Sequence, residues 1–267
     1  MNLLKEFQVF NRITFLEKSH SYLIDGQPTG SLSVTRLLKK FKKEFEQEKT
    51  AQRVAKKTGS TTEAVLAEWA ANNLYSTTLG SMLHKYIENF YANKRIEFEG
   101  SLEKLGSEQK KKLGETLPKL IQYFQSFYND HKHLLCFRSE MVLGDIEDTK
   151  VCGMMDMLVY NTETEKFEIW DFKTNKKMEK HSQWGNLFYP FDDMTEGEVN
   201  EYTIQLNCYK YFIEKYTSIK IDKMCLLWFN INNPNYQIVE LGDIQPKIKL
   251  MFEKVKKDSL FLETTAS

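Results

Sequence analysis

The sequence predicts a mixed domain of the α+β or α/β class, and three observations predict it. Long segments of helical periodicity fill the first half, short β-branched and aromatic runs separated by polar turns occupy 137–172, and a helix, two more extended runs and a last helix close the chain. Composition agrees: 267 residues, 41% hydrophobic and 28% charged, are enough for one large core. With 37 basic and 37 acidic residues the formal charge is zero. That excludes a globally basic nucleic-acid coat, although a local positive patch stays possible.

In chain order, 12–24 alternates apolar and polar residues and meets Asp25-Gly26, a turn signal between extended runs, so a small β-hairpin is expected. Ser33 or Thr35 can cap a helix whose apolar face is Leu37, Leu38, Phe41 and Phe45; Arg36, Lys39, Lys40, Lys42 and Lys43 crowd the other side and read as a solvated face. A helix from Thr61 through Val65, Leu66 and Trp69 should end at Asn72-Asn73, and another should begin near Leu79-Gly80 with His84, Ile87, Glu88 and Tyr91 on neighbouring turns. A third covers 107–130. Then a β-meander is expected at 137–143, 151–160 and 166–172. An irregular stretch at 181–199 precedes a helix at 200–216, strands at 223–231 and 236–241, a helix at 244–257 and a loose end at 264–267. No repeat, low-complexity tract or linker is visible, so 1–267 reads as a single domain, with 1–78 an N-terminal hairpin and helical elaboration and 79–258 the core.

Cys136, Cys152, Cys208 and Cys225 lie far apart with no C-x-x-C pair, and three of them sit in apolar or strand-like runs. They read as reduced structural thiols, which argues against a structural zinc or an iron–sulfur cluster. No stretch reaches the roughly 18 apolar residues of a membrane span, and 1–10 lacks a signal-peptide core. A cytoplasmic or other intracellular protein with no membrane partner is the expectation.

The most informative segment joins Gly153-Met-Met-Asp156 to Asp171-Phe172-Lys173. If 151–161 and 166–173 form a hairpin about 162–165, pairing Asn161 with Lys166 sets Asp156 opposite Asp171, with Cβ atoms about 5 Å apart. Like charges so placed repel, and Met155, Met157, Ile169 and Trp170 leave little solvent to screen them. A hard divalent cation offsets such repulsion, since Mg²⁺ or Mn²⁺ takes carboxylates together with waters and phosphate oxygens. Lys173 falls two residues after Asp171 and therefore on the same strand face. An ammonium there can orient a metal-bound water and stabilise charge on a phosphorus centre; a surface salt bridge is the bland alternative.

The order Gly-x-x-Asp then Asp-x-Lys resembles the PD-(D/E)XK nuclease superfamily, and the flanking features resemble its RecB-like branch. Gly80-x-x-x-His84-x-x-x-Glu88 matches that branch's upstream helix, Glu140 its acid on the preceding strand, and Gln205-x-x-x-Tyr209 its downstream helix. The Asp-Gly hairpin, Ser33-Val34-Thr35 and the Trp69 helix are similar to phage-encoded and mitochondrial genome-maintenance exonucleases of this branch. The cysteines do not match the iron–sulfur pattern of some relatives, and no G-x-x-x-x-G-K-[ST] loop is present, so a stand-alone nuclease is implied.

The resemblance implies a restriction-endonuclease-like core, a central mixed β-sheet flanked by helices, and a Mg²⁺- or Mn²⁺-dependent deoxyribonuclease acting through a metal-activated water. An exonuclease is the expected form, because no separate base-reading module is visible. His84, Glu140, Asp156, Asp171 and the Phe172 carbonyl would surround one or two ions, and Asp156, Asp171 and Lys173 would carry catalysis. Glu88 is either a partner that fixes the His84 tautomer or helix-surface charge. Gln205 and Tyr209 share a helix face and could hydrogen-bond phosphate or hold the lysine. Lys176, Lys177 and Lys180, with Trp184, Phe188, Tyr189 and Phe191, offer cations and aromatic faces to single-stranded DNA or strand ends, or else simply pack a loop. A non-catalytic nucleic-acid-binding subunit that keeps the fold, a structure-specific endonuclease and a small-molecule phosphatase are the alternatives.

Overall fold

The computed structural model describes residues 3–28, 33–95, 102–181 and 185–265, with side chains among them for 4–257. The chain opens with a helical turn, α1 (Leu3–Glu6), continued as a 3-10 turn over Phe7–Arg12. Strands β1 (Ile13–Leu16), β2 (Ser21–Ile24) and β3 (Gln27–Pro28) then form a three-stranded antiparallel sheet. The expected Asp25-Gly26 turn is present with both residues at positive φ, 52° and 77°, but it reverses β2 into β3. The β1–β2 reversal is made by 17–20, where His20 takes φ 46° without a glycine to announce it. Arg12 clamps the second turn through its guanidinium, Nη2 lying 2.6 Å from Asp25 Oδ2.

Ser33 caps α2 (Val34–Leu38), accepting the Arg36 N–H at 3.2 Å. Leu37, Leu38 and Phe41 are buried as expected, whereas Phe45 is 63% exposed and leans on Trp69 with ring centroids 6.1 Å apart. Helix α3 (Gln47–Thr58) has no counterpart in the sequence reading, because its buried positions are only Ala51 and Ala55. Small apolar residues leave a faint periodic signal. It ends at Gly59, whose φ of 69° is the left-handed C-cap that glycine supplies without strain.

Helix α4 (Thr62–Tyr91) runs unbroken for 30 residues, so the break expected at Asn72-Asn73 does not occur. Each asparagine costs roughly 0.5 kcal/mol of helix propensity. The following turns bury Tyr75, Leu79, Met82, Leu83, Tyr86 and Ile87, largely against α5 (Ser107–Asp130), and that burial outweighs the local cost. This continuity carries His84 to its place.

The central sheet contains β4 (Leu134–Gly144), β5 (Cys152–Asn161), β6 (Lys166–Lys173), β7 (Ile221–Trp228) and β8 (Gln237–Leu241), in that spatial order. All neighbours are antiparallel except β6 and β7, which run parallel across the connection that contains α6 (Glu198–Tyr216). The terminal helix α7 spans Gln245–Thr265, further than the sequence suggests; of the loose end expected at 264–267, residues 266–267 lie outside the described ones. One sheet face meets α4 and α5 through Met157, Val159, Trp170, Phe172, Cys225 and Leu227. The other meets α2, α6 and α7 through Leu158, Ile169, Met224 and Leu226. The architecture is therefore a five-stranded mixed sheet between helices, with the small hairpin sheet beside it. The four cysteines are free thiols, and among the described residues no helix is long and apolar enough to cross a membrane.

A buried polar staple joins the β4–β5 connection to the end of α6. Asp145 Oδ1 accepts from Lys215 Nζ (2.6 Å) and Tyr216 Oη (2.7 Å), while Oδ2 accepts from the Thr149 hydroxyl (2.8 Å) and N–H (3.1 Å). Burial alone would raise the Asp145 carboxyl; the hydrogen bonds from Lys215, Tyr216 and Thr149 reverse this and hold it below the usual carboxylate range. A carboxylate depressed on folding contributes stability that is complete above its unfolded pKa of about 3.9 and lost as pH falls through the folded value. Asp145→Asn should therefore lower stability at pH 7 by roughly 2–3 kcal/mol and flatten the loss below pH ~4. Chemical denaturation of both proteins at several pH values checks this; equal slopes in acid would disprove the assignment.

Candidate metal centre

Sheet register places three acids in one row. In β4 and β5 the pairs Ser139↔Met157 and Met141↔Met155 bracket Glu140 and Asp156, so these two face each other. In β5 and β6 the pairs run from Asn161↔Lys166 to Met157↔Trp170, the register expected from the sequence; the ladder ends there, and Asp156 and Asp171 are the next residue on each strand. There the Asp156 carboxylate itself accepts the Phe172 N–H, at 2.7 Å. Glu140 adopts φ 47°, a left-handed conformation that costs a non-glycine residue about 1 kcal/mol or more.

Helix α4 lays His84 over this row. Its Nε2–H donates to the Phe172 carbonyl at 3.0 Å, which leaves Nδ1 facing Glu140 Oε1 at 3.5 Å and Asp156 Oδ2 at 3.6 Å. Gly80, one turn earlier, faces Thr174 just beyond β6, and a Cβ there would meet Thr174 Oγ1 at 3.5 Å, an ordinary van der Waals contact, so the approach of α4 does not depend on the glycine. The ligand atoms of His84, Glu140 and Asp156 all fall within 4.8 Å of one another. His84 and Glu140 border an open cleft of ≈ 600 Å³ whose rim includes Glu17, Ser81, Lys85 and Glu88, with Asp156 buried behind them.

Charge in this pocket is unbalanced. Burial raises the Asp156 carboxyl against His84 and Lys173, which pull it down. Burial and then the neighbouring Asp156 push Asp171 up to about 6, with Lys173 opposing. Burial would lower the His84 imidazole, yet Asp156 and Glu140 outweigh it and raise it to about 9. Nδ1 aimed at two carboxylate oxygens is tolerable only with a positive centre between them, either a proton or a cation. One imidazole nitrogen and two carboxylates form a donor set that suits Mn²⁺ or Mg²⁺, so the residues fit the group.

Asp171 stands beside this cluster rather than in it. Its Oδ2 is ion-paired with the Lys173 ammonium, and both side chains are almost enclosed, at 2% and 16% exposure. The Phe172 carbonyl, expected as a ligand, orients His84 instead. Of the two roles open to Glu88, the structure shows helix-surface charge, paired with Lys85 at 2.8 Å. Gln205 donates to the Tyr209 hydroxyl at 3.0 Å, but Tyr209 is buried and unavailable to a substrate. Its ring lies on Gly153, where an added Cβ would be 2.6 Å from Cε1. The Gly-x-x-Asp glycine thus makes room for the ring of Tyr209 against β5.

Lys176 and Lys177 are exposed, Lys177 pairing with Glu179 at 3.1 Å, and Trp184 lies outside the described residues. Phe188 and Tyr189 are exposed while Phe191 is fully buried, so the aromatic loop divides into a packed part and an open part. Tyr202 and Asn175 were missed. The Lys173 ammonium sits over the Tyr202 ring, 4.6 Å from its centroid, and the Tyr202 hydroxyl donates to Asn175 Oδ1 at 3.0 Å. Helical spacing to Gln205 and Tyr209 was the available signal, since all three occupy one face of α6.

No protein-family model and no curated protein matches the chain. A partial match exists to the crystal structure of SSO0001, at 15% identity and a TM-score of 0.29, covering 56% of this chain and 66% of that one.

Three substitutions probe how the site is built. Gly153→Ala should destabilise by roughly 2–3 kcal/mol through overpacking against the tyrosine ring, and Tyr209→Ala in the same chain should recover part of that loss in a double-mutant cycle. Glu140→Gly should raise Tm, because it relieves the positive φ and removes one of the crowded charges, while abolishing any Mn²⁺-induced rise in Tm. A fall in Tm for Glu140→Gly would mean the conformation is not strained.

Proposed function

We propose that this chain is a metal-dependent deoxyribonuclease of the RecB-like branch of the PD-(D/E)XK superfamily, acting on single strands or strand ends. One observation carries the reading: Glu140, Asp156 and Asp171 are aligned on adjacent strands, with His84 above them and the Lys173 ammonium at one end. His84, Glu140 and Asp156 would hold Mg²⁺ or Mn²⁺, with Asp171 adjoining them. When bound, such an ion neutralises the carboxylates, polarises a phosphoryl oxygen and makes a water acidic enough to attack near neutral pH.

The remaining chemistry belongs to the chain. Lys173, fixed by Asp171 and Tyr202, presents positive charge where a phosphorus centre under in-line attack gains negative charge. Phe172 keeps the imidazole in one tautomer through its carbonyl and orients Asp156 through its N–H. Exposed Lys176 and Lys177 offer charge to backbone phosphates, and exposed Phe188 and Tyr189 offer faces to unstacked bases. The reading favours an exonuclease, because no separate base-reading module stands out among the described elements.

The test compares linear duplex, circular duplex and short single-stranded substrates with Mg²⁺, Mn²⁺ or EDTA. Digestion of linear or single-stranded DNA that EDTA abolishes and that spares circles is expected; Asp171→Ala and Lys173→Ala should each reduce it by at least ~10²-fold. Full activity in the purified double variant would refute the proposal. In the same preparations, Mn²⁺ at about 100 times its Kd should stabilise the parent protein by about 2.7 kcal/mol, and His84→Ala or Asp156→Asn should remove the effect.

A further inference from the structure

The Lys173 side chain has four rotatable methylene bonds, and a single carboxylate partner fixes only the position of its charge. Asp171 provides that one contact. A second carboxylate would hold the ammonium more firmly but would cancel the positive charge that makes it useful. The face of an aromatic ring confines a cation without neutralising it, since the attraction comes from the ring quadrupole. Tyr202 supplies such a face, 4.6 Å from ring centroid to Nζ.

The ring is itself tied down. Its hydroxyl donates to Asn175 Oδ1 at 3.0 Å. The Asn175 backbone carbonyl accepts from Trp228 Nε1 at 2.7 Å and from Asn230 Nδ2 at 3.3 Å, which anchors it to the end of β7. Lys173 and Trp228 are also paired across β6 and β7. The strand that bears the lysine and the strand that anchors its ring are therefore the same parallel pair, so lysine and ring share one rigid frame.

We infer that Tyr202 is a positioning residue for Lys173: its ring face, fixed through Asn175, sets where the ammonium stands beside Asp171 and thereby where positive charge meets the phosphoryl group. The inference rests on the nuclease reading and adds to it a residue outside the Gly-x-x-Asp, Asp-x-Lys and Gln-x-x-x-Tyr motifs. It requires the ring's electron density, not merely its volume.

That requirement can be measured directly. Tyr202 is replaced by phenylalanine and by mono-, di- and trifluorophenylalanine, which keep the shape while progressively weakening the negative face. The logarithm of kcat/KM for oligonucleotide cleavage should fall in steps, to about tenfold below Tyr202→Phe at trifluorination. Tyr202→Leu should lose at least as much. Independently of turnover, ¹³C-lysine NMR of the metal-free protein should show Lys173 ε-methylene protons shifted upfield by the ring, identified by their disappearance in Lys173→Arg, and Tyr202→Leu should abolish that shift. A flat fluorination series, or Lys173 protons without a ring-dependent shift, overturns the inference while loss of cleavage in Lys173→Ala leaves the nuclease reading standing. Cleavage that survives Lys173→Ala removes both.

Discussion

Everything around the centre of this sheet answers to one constraint: three carboxylates on adjacent strands cannot move apart. Register fixes Glu140, Asp156 and Asp171 in a row, and a change of one residue in pairing would turn every neighbouring side chain to the opposite face. Two unit charges about 5 Å apart cost roughly 3 kcal/mol at an effective dielectric near 20. That is a large share of the 5–15 kcal/mol, in round terms, that holds a domain of ordinary stability together. The fold answers with local devices: the Phe172 N–H on Asp156, the imidazole of His84 between Glu140 and Asp156, and the ammonium of Lys173 on Asp171. The left-handed backbone of Glu140 falls in the same row. A backbone that departs from ordinary strand geometry at the position of a crowded acid fits strain concentrated at a functional site, with the surrounding sheet supplying the stability.

The elements beyond the sheet follow from supplying those counter-charges. His84 can reach the row only if α4 passes over the end of β6, where its Nε2–H meets the Phe172 carbonyl. A break at Asn72-Asn73 would uncouple that half-helix from the turns before it; burial against α5 keeps it straight. On the opposite face, α6 places Tyr209 under Gly153 and Tyr202 beside Lys173, so one helix both supports the row and aims its cation. The Asp145–Lys215–Tyr216 staple fixes the end of that helix to the β4–β5 connection. Its distance from the metal cluster in sequence hides how directly it constrains the cluster's strands.

Much of this was legible in the sequence, for identifiable reasons. Strand periodicity and the short polar turn at 162–165 determine the β5–β6 register as far as Met157↔Trp170, so the nearness of Asp156 to β6 is legible in the sequence. The long helix at 107–130 and the helix beginning near residue 200 announce themselves through amphipathic spacing. What failed depended on information that a linear pattern does not hold. Helix α3 buries alanines, which carry little hydrophobic signal, and the continuity of α4 is decided by tertiary contacts. Spacing alone leaves Glu88 open between His84 and the helix surface, and its pairing with Lys85 decides for the surface. Tyr209 was correctly placed on a face with Gln205, yet only packing reveals that this face points into the core. Tyr202 was overlooked because an aromatic near the start of an amphipathic helix is unremarkable until a cation is found above it.

The site divides into two halves with different electrostatic solutions, and the division bears on its chemistry. On one side, His84, Glu140 and Asp156 present an imidazole and two carboxylates to a single point without a fixed internal cation, a set that any small cation or a proton can complete. On the other, Asp171 is already neutralised by Lys173, a permanent partner from its own strand. Asp156 belongs to both halves, since it is grouped with His84 and Glu140 and its charge also acts on Asp171. Any change in charge at the exchangeable half is therefore felt at Asp171 through a single intervening carboxylate, and through Asp171 at the ammonium. An arrangement in which the variable charge and the fixed charge share one residue makes the position of Lys173 responsive to what occupies the other half. This is the physical reason that the lysine needs a second, uncharged restraint: the ring of Tyr202 holds it with a force that does not vary as the carboxylates change state.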